Sequence, residues 1–410
     1  MTVSISTEEL IQRIKSGEVL DGLELQGSLL EKADLGACKI CHCDLSESKL
    51  ASARLEKAHL TGSRFDRADL RFASLEGALA NRATFVGARF KSTALNGFHG
   101  ESACFSGVEF ERMDTTLAYL SKSEWDHATL SDVNFSGVAS LDGAMFREVD
   151  CDAVFFNNVE ADGVLFRESQ MRLVSFYQAV LTGTSFEGCR MSRVSFEESQ
   201  LSKANLCELK AIQCTFKKAV LDGSDFGETI FEDCDLSEST LTQARLRRVT
   251  TVGKTRFTGA ILDGADIRHS LLNGVDFRGC SIVEASMAES SLKHALFEAA
   301  RLDGTEFYAS HLDDADFTSA SLKGAGLREA MCAGACFENA DLRGADLREA
   351  DLRGALLTGA RVDWDSLQTA TFHPNDLQGV VLYGEIPDVD PEPGRDGIRV
   401  DAKLAKKLTR

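Results

Sequence analysis

The sequence predicts an all-β fold in which short strands coil around a solid apolar interior. Three observations carry that prediction. First, 22 of the 25 phenylalanines fall on one ladder of positions five residues apart, shared with most of the leucines. The ladder runs Leu35, Ile40, Leu45, Leu50, Leu55, Leu60, Phe65, Leu70, Leu75 and continues with few gaps to Leu382. Second, a small residue stands two positions before almost every rung, as at Ala33, Cys38, Cys43, Ser48, Ala53 and Ala58. Third, all four prolines (Pro374, Pro387, Pro391, Pro393) lie after the last well-formed repeats, so no ladder hydrogen bond is lost within them.

A period of five excludes the two regular elements. At 100° per residue a five-residue step turns 140°, so the rungs would spiral around a helix instead of forming one stripe. In a long strand, odd and even rungs would point to opposite faces. The period works if each pentapeptide is a short extended bridge followed by a corner. Rung i and residue i−2 then face inward, and i−1, i+1 and i+2 face water. The run Ala340-Asp341-Leu342-Arg343-Gly344-Ala345-Asp346-Leu347-Arg348-Glu349-Ala350-Asp351-Leu352-Arg353-Gly354 fits, with charge only where solvent should be.

This run resembles the pentapeptide-repeat family, whose motif is A-(D/N)-L-x-x. The resemblance extends over roughly residues 20–382 and is looser around 149–194, where Val holds many small positions. It implies a right-handed parallel quadrilateral β-helix with four pentapeptides per coil. At ~4.8 Å between stacked strands, about 18 coils would make a rod on the order of 85 Å long.

Three segments follow from the pattern. Residues 1–19 carry Ser6-Thr7-Glu8-Glu9, a capping box opening a short helix with Leu10, Ile11 and Ile14 on its apolar side and Gly17 as its stop. That helix is expected to cap the first coil, whose bare strand edge would otherwise invite aggregation. Residues 20–382 form the β-helix. Its rungs slip by one residue near 136–140 (Phe135, then Leu141) and again near 247–256 (Leu246, then Phe257), each slip reading as a bulged or looped corner. Residues 383–410, with Lys403, Lys406, Lys407 and Arg410, are expected to be a flexible tail.

The motifs that suggest chemistry are explained by the repeat. Cys38-Lys39-Ile40-Cys41-His42 matches the C-x-x-C-H haem-attachment pattern, and Cys43 extends it toward a metal cluster. Yet Cys38 and Cys43 fall on small inward positions, as do Cys189, Cys214, Cys234 and Cys280, where they act as compact hydrophobes. Gly253-Lys254-Thr255 lacks the phosphate-loop glycine, because Arg248 stands five residues before the Gly-Lys pair. The eight histidines are scattered, and no nucleophile elbow or H-E-x-x-H motif occurs. An interior packed with Leu, Phe and Ala leaves no substrate cavity, so no catalytic, cofactor or metal residue is assigned and the chain is not expected to be an enzyme. No secretory signal and no apolar run of bilayer length is seen, which suggests a cytoplasmic protein with reduced thiols and no membrane span.

Charge is the remaining signal. The net charge of −19 divides into −3 over 1–32, +3 over 33–97, −13 over 98–246 and −6 over 247–410. Arg245, Arg247, Arg248, Lys254 and Arg256 form a basic cluster at the second slip and are the candidate partner-binding residues. The plainer account of them is charge balance at a solvated corner. The expected function is a rigid protein-interaction scaffold. The opening helix and first coils are similar to pentapeptide proteins associated with type VI secretion, which would make the chain an adaptor or chaperone whose partner is a secretion spike, an effector or another adaptor. The alternative is a mimic of DNA that occupies the channel of a type II topoisomerase (gyrase) through 98–246. Neither reading calls for direct nucleic-acid binding, and both allow a monomer or an end-to-end dimer.

Overall fold

The computed structural model describes residues 6–384, so the expected tail lies outside the described residues apart from Tyr383 and Gly384. The chain divides into two compact units, residues 1–205 and 206–410, and the boundary coincides with neither inserted residue. Each unit is a parallel β-solenoid, and together they make about 18 turns.

Pairing partners are twenty residues apart, which fixes four pentapeptides per turn. In the first unit Leu20 pairs with Ile40, Phe90 with Phe110 and Phe110 with Leu130, all parallel. In the second, Ala211 pairs with Phe231 and Val362 with Leu382. The ladder is short but continuous: Leu50 N–H donates to the Asp69 carbonyl at 2.9 Å, and Asp69 N–H donates to the Ser48 carbonyl at 3.0 Å. At most corners the N–H of the small residue closes on the carbonyl of the preceding rung, as from Ala53 to Leu50 at 3.0 Å. The third residue of that turn, Ser52, has φ 58°. Positive φ at this place is the type II pattern, and here non-glycine residues adopt it coil after coil.

Some corners do not close, and there a buried hydroxyl substitutes for the missing bond. At Ile40–Cys43 the Ser63 hydroxyl, one coil on, accepts from Cys43 N–H at 3.1 Å and donates to the Ile40 carbonyl at 3.0 Å. Ser169 treats Val149 N–H and the Phe146 carbonyl the same way. Both hydroxyls are fully buried, so the exchange leaves no orphaned polar group. The inward cysteines extend this role. The Cys43 thiol contacts Leu23 N–H at 3.4 Å and the Leu20 carbonyl at 3.5 Å, and the Cys280 thiol reaches the Phe257 carbonyl at 2.9 Å. They are therefore weak hydrogen-bonding groups as well as the compact hydrophobes the sequence implies.

The rungs fill the interior as aromatic columns. In the first unit Phe65, Phe85, Phe105, Trp125, Phe146, Phe166 and Phe186 stack at 4.3–5.4 Å between ring centres. In the second, Phe257, Phe277, Phe297, Phe317 and Phe337 stack at 4.9–5.2 Å. These spacings match the separation of neighbouring strands, so every ring meets its image one turn away.

Helix α1 (Thr7–Lys15) starts where the sequence places it. The Ser6 hydroxyl accepts from Glu9 N–H at 3.2 Å, and Leu10 and Ile14 are buried. Gly17 ends it with φ 79°. The first inserted residue is Ala139: both its N–H (2.8 Å) and that of Ser140 (3.4 Å) point at the Ala118 carbonyl, a β-bulge. Pairing across it shifts to 21 residues, as between Tyr119 and Ser140. The second is Lys254, where Asp235 pairs with Arg256 and Thr250 with Leu271.

Candidate interaction site at the second inserted residue

The site is built on the coil that runs from Arg245 to Arg256 in the second unit. Leu246 faces the core and Arg247 and Arg248 turn the corner, with Arg248 at φ 57°. This corner is open. Ser270 accepts from Val249 N–H at 3.1 Å and donates to the Leu246 carbonyl at 2.8 Å. The next strand, Thr250–Val252, sits unusually far out, because the rung position holds Thr251, which is only half-buried. Gly253 then turns with φ 69°, and Lys254 N–H donates to Asp233 Oδ1 at 2.8 Å.

The five cations do not form one cluster. Arg245, Arg247 and Arg248 share one corner, while Lys254 and Arg256 follow the strand Thr250–Val252. Four of the five are paired. Arg245 faces Asp225 at 3.5 Å, Arg248 meets Glu228 at 3.0 Å, Arg256 meets Asp235 at 2.5 Å, and Arg247 pairs with Asp266. Asp266 also holds Arg268 through two bonds of 2.8 and 2.9 Å. The Arg268 guanidinium, opposed by partial burial and helped by Arg247, keeps the Asp266 carboxyl at about 2. Burial works against ionisation of Asp235, but bonds from Arg256 and Ser237 outweigh it and hold that group at about 2 as well. Lys254 is exposed and makes no ion pair among the described residues.

The three corner arginines border a shallow recess of about 640 Å³, with Glu208, Gly227 and Glu228 among its other walls. Gly227 leaves one wall of the recess without a side chain. A Cβ there would come to 3.3 Å from Asp225 Oδ1 and 3.5 Å from Cys207 Sγ, so even one methyl group would begin to fill it. Sequence reading missed this, since the gap is visible only when Gly227 is set beside Arg247, twenty residues on.

The C-x-x-C-H segment is dispersed by the repeat. Cys38 is buried and its thiol is pushed up to about 12 by burial. Cys41 is half-exposed, Cys43 is buried, and His42 points outward to Asp21 at 2.8 Å. Among the described residues no group of three or more His, Cys, Asp or Glu side chains is arranged to hold a metal.

The model of the pentapeptide-repeat family matches residues 28–99, 175–208, 214–250 and 260–362. The chain belongs to the pentapeptide-repeat family. The two inserted residues lie in stretches the family model leaves unmatched, 100–174 and 251–259. No curated protein matches the chain. Among solved structures it is similar to HetL, a pentapeptide-repeat protein involved in heterocyst differentiation regulation from the cyanobacterium Nostoc. That likeness has 24% identity, covers 52% of this chain and 90% of that one, and has a TM-score of 0.23. QnrB1, a plasmid-mediated fluoroquinolone resistance protein, matches at 16% identity over 47% of this chain and 92% of its own, with a TM-score of 0.26. A pentapeptide-repeat protein of the Arabidopsis thaliana thylakoid lumen matches at 28% identity over 28% of this chain and 80% of its own, with a TM-score of 0.21.

Proposed function

We propose that this pentapeptide-repeat chain is a non-enzymatic scaffold that binds protein partners on its outer faces. The observation that carries the reading is the interior: stacked Phe columns and buried Leu rungs fill the solenoid, so what it presents to other molecules is its outer surface. What the fold offers a partner is a rigid surface with side chains repeated at ~4.8 Å, which loses little conformational entropy on binding. No helix among the described residues is long and apolar enough to cross a membrane, which is compatible with a cytoplasmic site of action.

The finer reading is an adaptor or chaperone that loads an effector onto a type VI secretion spike. It is supported by the capped opening coil and by the corner of Arg245, Arg247 and Arg248, with Lys254 as the cation left to meet an acidic partner. The alternative, mimicry of DNA toward a type II topoisomerase, is supported by the net charge of −13 over 98–246. The two part experimentally. Affinity purification of the full chain from its native cytoplasm should recover a spike or effector protein, lost on Arg247→Glu/Arg248→Glu. A supercoiling assay with purified gyrase should show no effect. Gyrase inhibition or protection with no secretion protein recovered would reverse the ranking.

A further inference from the structure

One corner of the first unit is nearly stripped of charge. The segments that turn it are 96–99 (Asn-Gly-Phe-His), 116–119 (Thr-Leu-Ala-Tyr), 136–140 (Ser-Gly-Val-Ala-Ser), 157–160 (Asn-Asn-Val-Glu) and 177–180 (Tyr-Gln-Ala-Val). In a chain that is 27% charged, twenty-one residues would carry about six charges; these carry one, Glu160. The segments stack directly. His99 pairs with Tyr119 and Tyr119 with Ser140, Leu117 N–H donates to the Gly137 carbonyl at 2.9 Å, and Asn157 N–H donates to the Ser136 hydroxyl at 3.1 Å.

Large apolar groups stand out from this surface. Leu117 is 62% exposed and Tyr119 46%, and Phe155, which pairs with Asn134 on the adjoining face, is 42% exposed. The Tyr119 ring stacks on His99 with 4.5 Å between centres, which fixes its orientation before anything binds. Around them lie amides, hydroxyls and glycines such as Asn96, Thr116, Ser136, Gly137 and Asn157. The bulge at Ala139 lies at the centre and leaves Val138, at a normally inward position, half-exposed. Depletion of charge with exposed aromatic anchors is the composition of a protein-interface core. Tyr, Ser, Gly and Asn together are also the residues that recognition surfaces favour for contact area and adaptable hydrogen bonds.

The border is acidic. Glu76, Asp114, Asp142, Glu197 and Glu198 flank the stripe, Glu160 stands within its Tyr119 column, and none has an ion pair among the described residues. A second copy of this chain would bring the same carboxylates against these, so self-association through the stripe is disfavoured. We infer that the corner of Leu117 and Tyr119 is the docking surface for a protein segment of opposite design, an apolar centre flanked by Lys and Arg. This rests on the scaffold reading and names the chemistry of its partner. It adds a second contact surface, at the first inserted residue, to the arginines proposed at the second.

The test is selection of a phage-displayed library of random 15-residue peptides on the purified full chain. Recovered peptides should carry apolar residues flanked by Lys or Arg. Their binding should fall at least tenfold with Leu117→Lys/Tyr119→Lys and stay within twofold with Arg247→Gln/Arg248→Gln. The same columns already carry Lys57 and Lys39, so the lysines fit the fold. Phe155→Ser, with an expected loss of about fivefold, serves if the double variant melts early. Acidic peptides, or binding lost only with the arginine variant, would overturn the inference and leave the scaffold reading intact. Dimerisation in sedimentation that Leu117→Lys/Tyr119→Lys abolishes would overturn it in favour of a second copy. Recovery of no peptide above background would count against both readings.

Discussion

Ser270→Ala isolates the device that keeps open corners stable. The Ser270 hydroxyl is almost fully buried and lies between Val249 N–H, at 3.1 Å, and the Leu246 carbonyl, at 2.8 Å. Alanine removes the bridge without changing the packing much, so it strands a buried donor and a buried acceptor. One such orphan costs roughly 1–3 kcal/mol. Taking about 2 kcal/mol for the corner, local opening should become about 30-fold easier, at 1.4 kcal/mol per tenfold. Hydrogen exchange of the Val249 amide reads this directly and avoids the two-state assumption that repeat arrays violate. Ser224→Ala is the matched control. Ser224 is equally buried and donates to the Leu221 carbonyl at 2.6 Å, but its own N–H already closes that turn at 3.0 Å. Its loss should accelerate exchange less than about threefold. Ser270→Cys should recover part of the protection, since the Cys43 thiol makes the same two contacts at its own corner. Equal loss in the two alanine variants, or none at Val249, would refute the bridging role.

Phe297→Ala should destabilise its own coil by about 3–5 kcal/mol, because the ring is fully buried between Phe277 and Phe317, whereas exposed Phe72→Ala should cost less than about 1 kcal/mol; hydrogen exchange of the neighbouring rung amides compares them. Burial pushes the Cys38, Cys189 and Cys280 thiols up to about 12, so at pH 8 a disulfide reagent should label half-exposed Cys41, Cys104 and Cys336 first and reach the buried ones only after urea. The Arg343 guanidinium holds Asp341 at about 2, down from 3.8. Its contribution to stability is therefore complete above about pH 4 and lost as pH falls toward 2. Arg343→Gln should raise the Asp341 titration midpoint by NMR, and its destabilisation at pH 7 should vanish near pH 2.

The fold was legible because its signal repeats dozens of times, and each rung reads the same inward geometry. Where the rule is broken locally, compensation hides it. Gly100 occupies a rung and Phe98 a small position, yet Phe98 is fully buried, and a Cβ at Gly100 would strike its ring at 2.6 Å. The two residues exchange roles, so the volume is conserved while the pattern fails. Corner chemistry was not legible. Ala, Ser and Cys are interchangeable by size at the small position, and only the stacking of Ser63 on Cys43, or Ser270 on Val249, shows why a hydroxyl is needed. The basic cluster was legible as a composition but misleading as a field. Three of its carboxylate partners, Asp225, Glu228 and Asp235, lie twenty or twenty-one residues earlier and the fourth, Asp266, nineteen residues later, each about one turn away.

The same lesson bears on the acidic block, because charge density and electric field are different quantities in this fold. Residues i−1 and i+1 leave the strand on the same side. Arg343 therefore grips Asp341 through Nε at 2.8 Å and Nη2 at 2.6 Å, and Arg348–Asp346 and Arg353–Asp351 repeat the arrangement. Each of these pairs is locally neutral, the remaining Glu349 meets Arg328 at 3.2 Å, and the stretch offers little to a cationic partner. Within 98–205 the situation is mixed. Asp126 is held by Arg147, and Asp152 by Arg172, but Glu160, Glu197 and Glu198 have no cation among the described residues. A DNA mimic must work through the second kind. If topoisomerase activity responds to this protein at all, Glu160→Lys/Glu197→Lys/Glu198→Lys should abolish the response, while Asp126→Asn should leave it within twofold. Loss of the effect through Asp126 alone would show that paired carboxylates still project a field, and the distinction drawn from the ion pairs would fail.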